Sequence, residues 1–267
     1  MRLITALEKF RQRVSPEIVT VRGRRWKMID TGGPGPVLVM LPGTLGNADI
    51  FFHQIEKLGG RLRIIALAPP LIADVDVMAD DLARLLNRLG VARASVLGTS
   101  FGGFLAQTFA ERHPDLIETL FIANSLCDTG ALRPAFPDPA ELLRTPPRAL
   151  AANISAQMDN WDEPERIFSE TKELLRHELA RHLPPRAPKL RLAAIFLRPR
   201  PPVPAVPDSQ IVIIDCQDDP LIPAKVRDEV RARYPKAEHH RLPTGRHFPY
   251  LTRAAAYNDI LQKRLLR

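Results

Sequence analysis

The sequence predicts an α/β protein with a mostly parallel central sheet and helices on both faces, and three observations support this fold class. Short, continuous apolar runs, typical of strands buried on both faces, recur along the chain. Stretches with apolar residues at helical spacing separate these runs. A strand–helix junction carries a Gly-x-Ser-x-Gly motif, which is typical of a sharp turn at the end of a buried strand. Together they indicate parallel strands joined by crossover helices.

The first half of the chain contains the regular part of this pattern. A hairpin is predicted first, because two short strands flank the turn Arg22-Gly23-Arg24. Loops rich in glycine and proline punctuate the later elements. Strands are predicted at 18–21, 25–30, 37–41, 63–67, 95–97 and 117–123, and helices at 47–58, 77–89 and after Ser100.

The pattern breaks in a proline-rich, charged stretch at 126–208, where no strand alternation is visible. Helices are predicted there at 140–143, 147–158, 163–182 and 190–197. The sheet then resumes with strands at 210–215 and 238–242, a helix between them and a last helix from about residue 253. We therefore expect a core of residues 1–125 and 209–267, with 126–208 as a helical cap inserted over the strand ends.

The junction motif consists of Gly98, Ser100 and Gly102, between an apolar run and a helix. A strained, tight turn of this kind leaves no room for a Cβ at either glycine, and it presents the serine hydroxyl at the strand end. Ligands of parallel sheets bind beyond the carboxyl ends of the strands, where Ser100, Thr44 and Asn124 are all predicted to lie. Ser100 is therefore a candidate nucleophile.

Serine needs a base to take its proton, and the base needs a carboxylate to fix its tautomer. Asp219 follows the strand at 210–215, and His247 follows the strand at 238–242. The order Ser, Asp, His along the chain matches that of the hydrolases with a Gly-x-Ser-x-Gly elbow. The other histidines are interpreted as surface or packing residues: His53, His113, His177, His182, His239 and His240.

Composition favours an ordinary soluble protein of 267 residues, with 45% hydrophobic and 25% charged residues. No integral membrane segment and no signal peptide are predicted, so a cytoplasmic location is expected. The net charge of +8 is interpreted as an arginine-rich surface, and no nucleic-acid partner is predicted. Cys127 and Cys216 are expected to be small buried side chains, and a disulfide between them is not favoured. No cofactor motif or metal cluster is evident, so neither is expected.

From Leu41 to its end, apart from the stretch at 126–208, the chain resembles the α/β-hydrolase-fold serine hydrolases. Several segments are more similar to the maspardin-like branch of that fold. These segments are Asn47-Ala-Asp-Ile-Phe-Phe-His-Gln54, Gly98-Thr-Ser-Phe-Gly-Gly-Phe-Leu-Ala-Gln107, Ile122-Ala-Asn-Ser125 and Thr244-Gly-Arg-His-Phe-Pro-Tyr-Leu251.

The resemblance implies a role for each candidate residue. Ser100 would be the nucleophile and His247 the general base and later acid. Asp219 would be the orienting carboxylate, because it stands four residues before Pro223 as the family's acid does before its proline. Asp218 is the rival acid, and Asp128 is a third alternative. The oxyanion hole would use the backbone N–H groups of Thr44 and Phe101. Cys216 stands where the family often has glycine, which leaves the choice between the two aspartates open.

Two classes of function are consistent with these residues. The first is an esterase-like serine hydrolase that takes a small-molecule ester through a covalent acyl-enzyme. The second is a non-catalytic interaction protein on a hydrolase scaffold, which the maspardin-like resemblance suggests. Thioesterase, lactonase, C–C hydrolase and acyltransferase activities also fit the constellation, and the sequence leaves open whether the chain forms a homodimer. An apolar acyl pocket is expected from the cap residues Leu150, Ile154, Met158, Trp161, Ile167 and Phe168.

Overall fold

A computed structural model describes residues 2–198 and 200–266. The predicted chain boundaries at 1 and 267, and position 199 within the predicted cap, lie outside the described residues. Within them, eight strands form one sheet. The strands are β1 (Glu17–Val21), β2 (Arg24–Asp30), β3 (Val37–Leu41), β4 (Arg63–Ala68), β5 (Ala94–Thr99), β6 (Ile117–Ala123), β7 (Ile211–Cys216) and β8 (Glu238–Leu242).

The sheet is mostly parallel, as predicted, and its strand order is β1-β2-β4-β3-β5-β6-β7-β8. Only β2 runs antiparallel to its two neighbours, β1 and β4. The strands from β4 to β8 all pair in parallel. Since β5 lies at the centre, between β3 and β6, its carboxyl end opens at the middle of the sheet.

Helices cover both faces of this sheet, because successive side chains of a buried strand point to opposite sides. In β3, Leu38 and Met40 belong to one apolar core, and Val39 and Leu41 belong to the other. The helices are α1 (Leu3–Arg11), α2 (Phe52–Leu58), α3 (Val75–Arg88), α4 (Phe101–Arg112), α5 (Pro139–Arg144), α6 (Pro147–Gln157), α7 (Arg166–Arg181), α8 (Ala187–Leu197), α9 (Ala224–Arg233), α10 (Pro249–Thr252) and α11 (Ala254–Leu265). Apolar residues of α3 and α4 pack in the core that contains Val39, and those of α1, α2 and α11 pack in the core that contains Leu38.

The chain between β6 and β7 contains helices α5 to α8 and is called the β6–β7 segment below. It contains no strand among its described residues, which agrees with the loss of alternation in the sequence. Its helix α7 packs on α1, and α8 packs on α4. The segment is therefore anchored on both faces of the sheet.

Helix α1 is not among the predicted elements, although its apolar residues have helical spacing. Leu3, Leu7 and Phe10 are buried in the core that α2 and α11 also enter. The backbone N–H of Leu3 donates to Glu170 Oε2 of α7 over 3.1 Å, which satisfies one of the free donors at the start of the helix. Charged residues between these positions make the stretch read as a polar chain end. The helix is short and amphipathic, and its tertiary contacts stabilise it.

Both cysteines are buried and free, as expected. Burial raises the pKa of the Cys216 thiol to about 12, so it is not a thiolate nucleophile at neutral pH. None of the described helices combines the length and hydropathy that a bilayer crossing requires.

Candidate active site

Ser100 occupies a sharp turn between β5 and α4. Its backbone has φ 55° and ψ −122°, a conformation that is unfavourable for any residue with a side chain. A Cβ on Gly98 would lie 1.9 Å from the carbonyl oxygen of Gly102, and a Cβ on Gly102 would lie 2.1 Å from that of Leu41. The turn therefore requires glycine at both positions, as the motif predicts.

His247 and Asp219 meet at the carboxyl ends of neighbouring strands. Asp219 follows β7 and His247 follows β8, and both side chains are almost fully buried. His247 Nδ1 lies 2.9 Å from Asp219 Oδ2 and 3.2 Å from Oδ1. An Nδ1–H that donates to the carboxylate leaves Nε2 unprotonated, and an unprotonated Nε2 can accept a proton.

The Asp219 carboxylate is also held by groups other than histidine. The backbone N–H groups of Leu221 and Ile222 donate to its Oδ1 over 2.8 and 3.0 Å. Burial acts to raise the pKa of this carboxyl, but the charge and hydrogen bond of His247 and the bonds from Asn124 and Ile222 outweigh it, so the pKa lies below its ordinary value. Asp219 is therefore ionised at neutral pH.

The rival carboxylate, Asp218, contacts the backbone of the histidine loop rather than the imidazole. Its Oδ2 accepts the N–H of Gly245 over 3.2 Å, and its Oδ1 accepts that of Arg246 over 2.8 Å. Asp128 accepts the N–H of Gly130 and does not line the cavity that contains Ser100. Of the three candidate acids, only Asp219 forms a hydrogen bond with His247 in the described part of the chain.

Asn124 is a further member of the site to which the sequence analysis gave no role beyond a place at a strand end. Its Nδ2 donates to Asp219 Oδ2 over 2.9 Å and to the carbonyl of Arg246 over 3.0 Å. The residue is buried and has a positive φ of 41°, which asparagine tolerates better than most residues. Asn124 thus links the end of β6 to the acid and to the loop that carries His247.

Ser100 and His247 line one cavity together with Thr44. Among the described residues, no hydrogen bond joins Ser100 to His247; such catalytic contacts often form only with substrate bound. A Cβ built on Gly43 would lie 3.8 Å from Ser100 Oγ, so the loop after β3 runs close to the serine. Phe101 is the first residue of α4, and an N–H at this position has no acceptor within its own helix.

Arg191 of α8 holds the loop after β3 from the opposite side, and nothing in the sequence pointed to it. Its Nη1 lies 3.1, 3.0 and 2.7 Å from the carbonyl oxygens of Gly43, Thr44 and Gly46, to which it donates. Burial lowers the pKa of Arg191 to about 10, so the guanidinium is still charged at neutral pH. Because C=O and N–H of a trans peptide point in opposite directions, the N–H of Thr44 points away from Arg191.

The cavity has a volume of about 210 Å³, and its lining is largely apolar. The β6–β7 segment contributes nearly half of the lining residues, including Leu126, Leu132, Phe136, Ile154, Gln157, Trp161, Leu192, Ile195 and Phe196. Of the six residues expected to form an acyl pocket, Ile154 and Trp161 line this cavity, and Leu150, Met158, Ile167 and Phe168 do not. Apolar character alone does not place a residue at this cavity. Met158, for example, packs in the core that contains Leu38.

Comparisons with known proteins show the family to which the chain belongs. A family model described as "Alpha/beta hydrolase family" matches residues 38–260. Maspardin from Homo sapiens is 30% identical over 257 residues, which covers 91% of this chain and 79% of maspardin. The enol-lactonase from Burkholderia xenovorans LB400 has a similar structure, with a TM-score of 0.76 at 20% identity. The match covers 94% of this chain and 100% of the enol-lactonase chain. A hydrolase from Pseudomonas aeruginosa PA01 has a TM-score of 0.73 at 20% identity, with coverages of 93% and 97%. At 20% identity, these two structures support the shared fold alone.

Proposed function

Because the chain belongs to the alpha/beta hydrolase family, we propose that it is a serine hydrolase that cleaves carboxylic esters through an acyl-enzyme on Ser100. One observation carries the proposal. His247, which is buried and hydrogen-bonded to Asp219, lines the same cavity as Ser100. Nucleophilic catalysis needs this arrangement, in which a serine on a strained turn shares a cavity with a buried imidazole whose tautomer a carboxylate fixes.

In the proposed reaction, His247 Nε2 takes the proton of Ser100 Oγ while Oγ attacks the ester carbonyl carbon. The tetrahedral intermediate collapses with cleavage of the C–O bond, and the imidazolium gives its proton to the departing alkoxide. Water, deprotonated by the same Nε2, then attacks the acyl carbon. The second tetrahedral intermediate collapses with cleavage of the C–Oγ bond, the carboxylic acid leaves, and the imidazolium returns its proton to Ser100 Oγ. Asp219 stabilises the imidazolium at both steps and keeps its own negative charge.

The N–H groups of Thr44 and Phe101 are the proposed donors to the oxyanion. Phe101 brings the N-terminal end of α4, whose dipole favours negative charge. Arg191 has a positioning role in this proposal, since its bond to the carbonyl of Gly43 fixes the peptide that carries the Thr44 N–H, and its bond to the carbonyl of Thr44 fixes the next peptide. Preorganised donors of this kind stabilise the transition state more than the ground state.

The apolar lining supports a substrate with a hydrocarbon acyl or alcohol group. We assign residues 126–208 as a cap that selects the substrate, because the β6–β7 segment supplies nearly half of the lining residues. The structurally similar enol-lactonase is described as acting on a lactone, which is a cyclic ester. Linear and cyclic esters therefore both belong in the first substrate panel.

The experiment that tests the proposal compares wild type with S100A on p-nitrophenyl esters and lactones of increasing acyl length. We expect hydrolysis by wild type and a loss of at least about 10³-fold for S100A, since the serine and its base act as one unit. Folded wild type that hydrolyses none of these compounds, or S100A with wild-type activity, would contradict the proposal. The first result would favour the non-catalytic interaction protein instead.

A further inference from the structure

A second cluster of chemically active side chains lies where α1 meets α7, remote from Ser100 along the chain. Glu8 of α1 faces His177 and Glu178 of α7 and His182 just beyond the end of that helix. One ligand atom from each of these four residues lies within 4.8 Å of every other. None of these residues lines the Ser100 cavity, so the proposed reaction does not account for them.

We propose that this cluster binds a divalent transition-metal cation, with Zn²⁺ as the best match, through Glu8, His177 and His182. The Nε2 atoms of the two histidines are 3.3 Å apart. Glu8 Oε1 lies 3.7 Å from His177 Nε2 and 3.6 Å from that of His182. The centre of this nearly equilateral triangle lies about 2 Å from each corner, which is the length of Zn–N and Zn–O bonds.

The charge balance of the cluster also favours a cation. Three carboxylates, those of Glu8, Asp49 and Glu178, surround the single guanidinium of Arg11, which contacts each of them within 2.9 Å. With neutral imidazoles, the net charge is −2, and one divalent cation neutralises it. Excess negative charge is unfavourable at buried positions, and two of the three carboxylates, those of Asp49 and Glu178, are buried.

Each of the two buried carboxylates pairs with Arg11 through one oxygen and leaves its other oxygen without a hydrogen-bond partner among the described residues. Glu178 is fully buried, and its Oε1 has no hydrogen-bond partner among the described residues. The same holds for Oδ1 of Asp49, which is 5% exposed. One carboxylate oxygen of Glu178 lies within 4.8 Å of the ligand atoms of Glu8, His177 and His182, and the partly exposed side of the two histidines leaves a position for water.

Arg11 is compatible with this role. Its Nη1 donates to Glu8 Oε1 over 2.9 Å and its Nη2 to Glu178 Oε2 over 2.7 Å. Hydrogen bonds of this kind commonly orient the carboxylates that ligate a metal. Two imidazoles with a carboxylate favour Zn²⁺ and its neighbours over Mg²⁺ and Ca²⁺, which prefer oxygen ligands.

No local pattern in the sequence indicates this site, because Glu8 lies about 170 residues before His177 and His182, and each histidine alone is typical of a surface or packing residue. The fold joins them by packing α1 against α7. A bound cation would connect the N-terminal helix to the β6–β7 segment, so it would stabilise that contact.

The test uses the full-length, tag-free chain, stripped with chelator and titrated with Zn²⁺ by calorimetry. We expect one Zn²⁺ per chain with a dissociation constant on the order of 1 μM or tighter. H177N/H182N should weaken binding by about 100-fold or more, since losing ligands exceeds the effect of losing their hydrogen-bond partners. H239N/H240N is the matched control, because it also removes two partly exposed imidazoles that pair with carboxylates, and it should bind as wild type does.

Absence of one-to-one binding by wild type would overturn the proposal. Equal binding by H177N/H182N and wild type would overturn it too, since the ion would then occupy another place. If the double variant fails to fold, the single variant H182N replaces it. The visible ligand-field absorption of bound Co²⁺ is then compared between wild type and H182N. Tetrahedral or five-coordinate Co²⁺ bands in wild type that H182N loses support the site, and octahedral aqueous bands in wild type contradict it.

Discussion

At the scale of single residues, two adjacent aspartates have different tasks. Asp219 bonds the imidazole of His247, and Asp218 bonds the backbone of the loop that carries it. The sequence places both at the end of β7, and only the resemblance to the hydrolase family favours Asp219 over Asp218, because the choice depends on the direction of each side chain in the loop. Asn124, whose amide bonds Asp219, supplies the contact that links the acid to the next strand.

We predict that D219N lowers kcat for an ester substrate by about 10⁴-fold, because an amide can no longer fix the imidazole tautomer that accepts the serine proton. D218N is the matched control: it removes one charge from the neighbouring residue and leaves the bond between Asp219 and His247. We expect it to retain most of the activity. Steady-state kinetics on both variants decide the point, and a larger loss in D218N would assign the acid to Asp218.

The lowered pKa of Asp219 predicts a pH dependence of stability. A carboxyl whose pKa is lower in the folded state stabilises the protein above its unfolded pKa of 3.8, and this stability is lost as the pH falls through the folded pKa. The difference in unfolding free energy between wild type and D219N should therefore be constant near neutral pH and shrink as the pH falls below about 5 and on through the folded pKa, which lies under 3.8. Urea titrations across this range measure it, and a constant difference would show that Asp219 is not stabilised as an anion.

At the scale of elements, α8 and the loop after β3 depend on one buried arginine. We predict that R191M lowers kcat by about 10²-fold with little change in KM, because the Thr44 N–H loses its fixed direction while the cavity lining is unchanged. R191K should recover part of this loss, since lysine restores the charge and one donor. R186M, one turn earlier and exposed, is the control.

Folded R191M with wild-type kcat would show that the three carbonyls stay in place without the guanidinium. Circular dichroism and thermal unfolding of each variant separate this outcome from loss of the fold. A rise in KM at constant kcat would instead assign Arg191 to the shape of the cavity.

The elements themselves were largely predictable. Strands such as β6 and β8 have the predicted bounds, because continuous apolar runs or flanking turns define them. Helix α7 begins at Arg166 rather than at 163, since the residues before it form a bend. Contacts such as that of Arg191 with Gly43 join residues 148 positions apart, and no local pattern encodes them.

At the scale of the whole molecule, the cavity forms between the strand ends of the sheet and the β6–β7 segment. The family model and the maspardin match confirm the predicted resemblance and the α/β-hydrolase fold. The shape of the cavity could not be predicted from the sequence, because its lining combines residues from many separate elements. Each substrate methylene that is buried in this cavity should contribute about 0.8 kcal/mol to the free energy of substrate binding.

We predict that I154W selectively lowers kcat/KM for esters with long acyl chains, because the indole takes cavity volume, and that it spares acetate esters. L150W is the control, since Leu150 lies one turn earlier on α6 and outside the cavity. The measurement is kcat/KM across a series of acyl lengths. Equal losses for all lengths in I154W, or the same profile in L150W, would contradict the assignment of this cavity to the substrate.

The central claim is that Ser100 is a nucleophile activated by His247, and covalent labelling tests it most directly. Folded wild type is incubated with a fluorophosphonate, and the adduct is measured by intact mass and located by peptide mapping. We expect one adduct per chain on Ser100, none on S100A, and much slower labelling of H247A. No adduct on folded wild type, or an adduct at another residue, would contradict it.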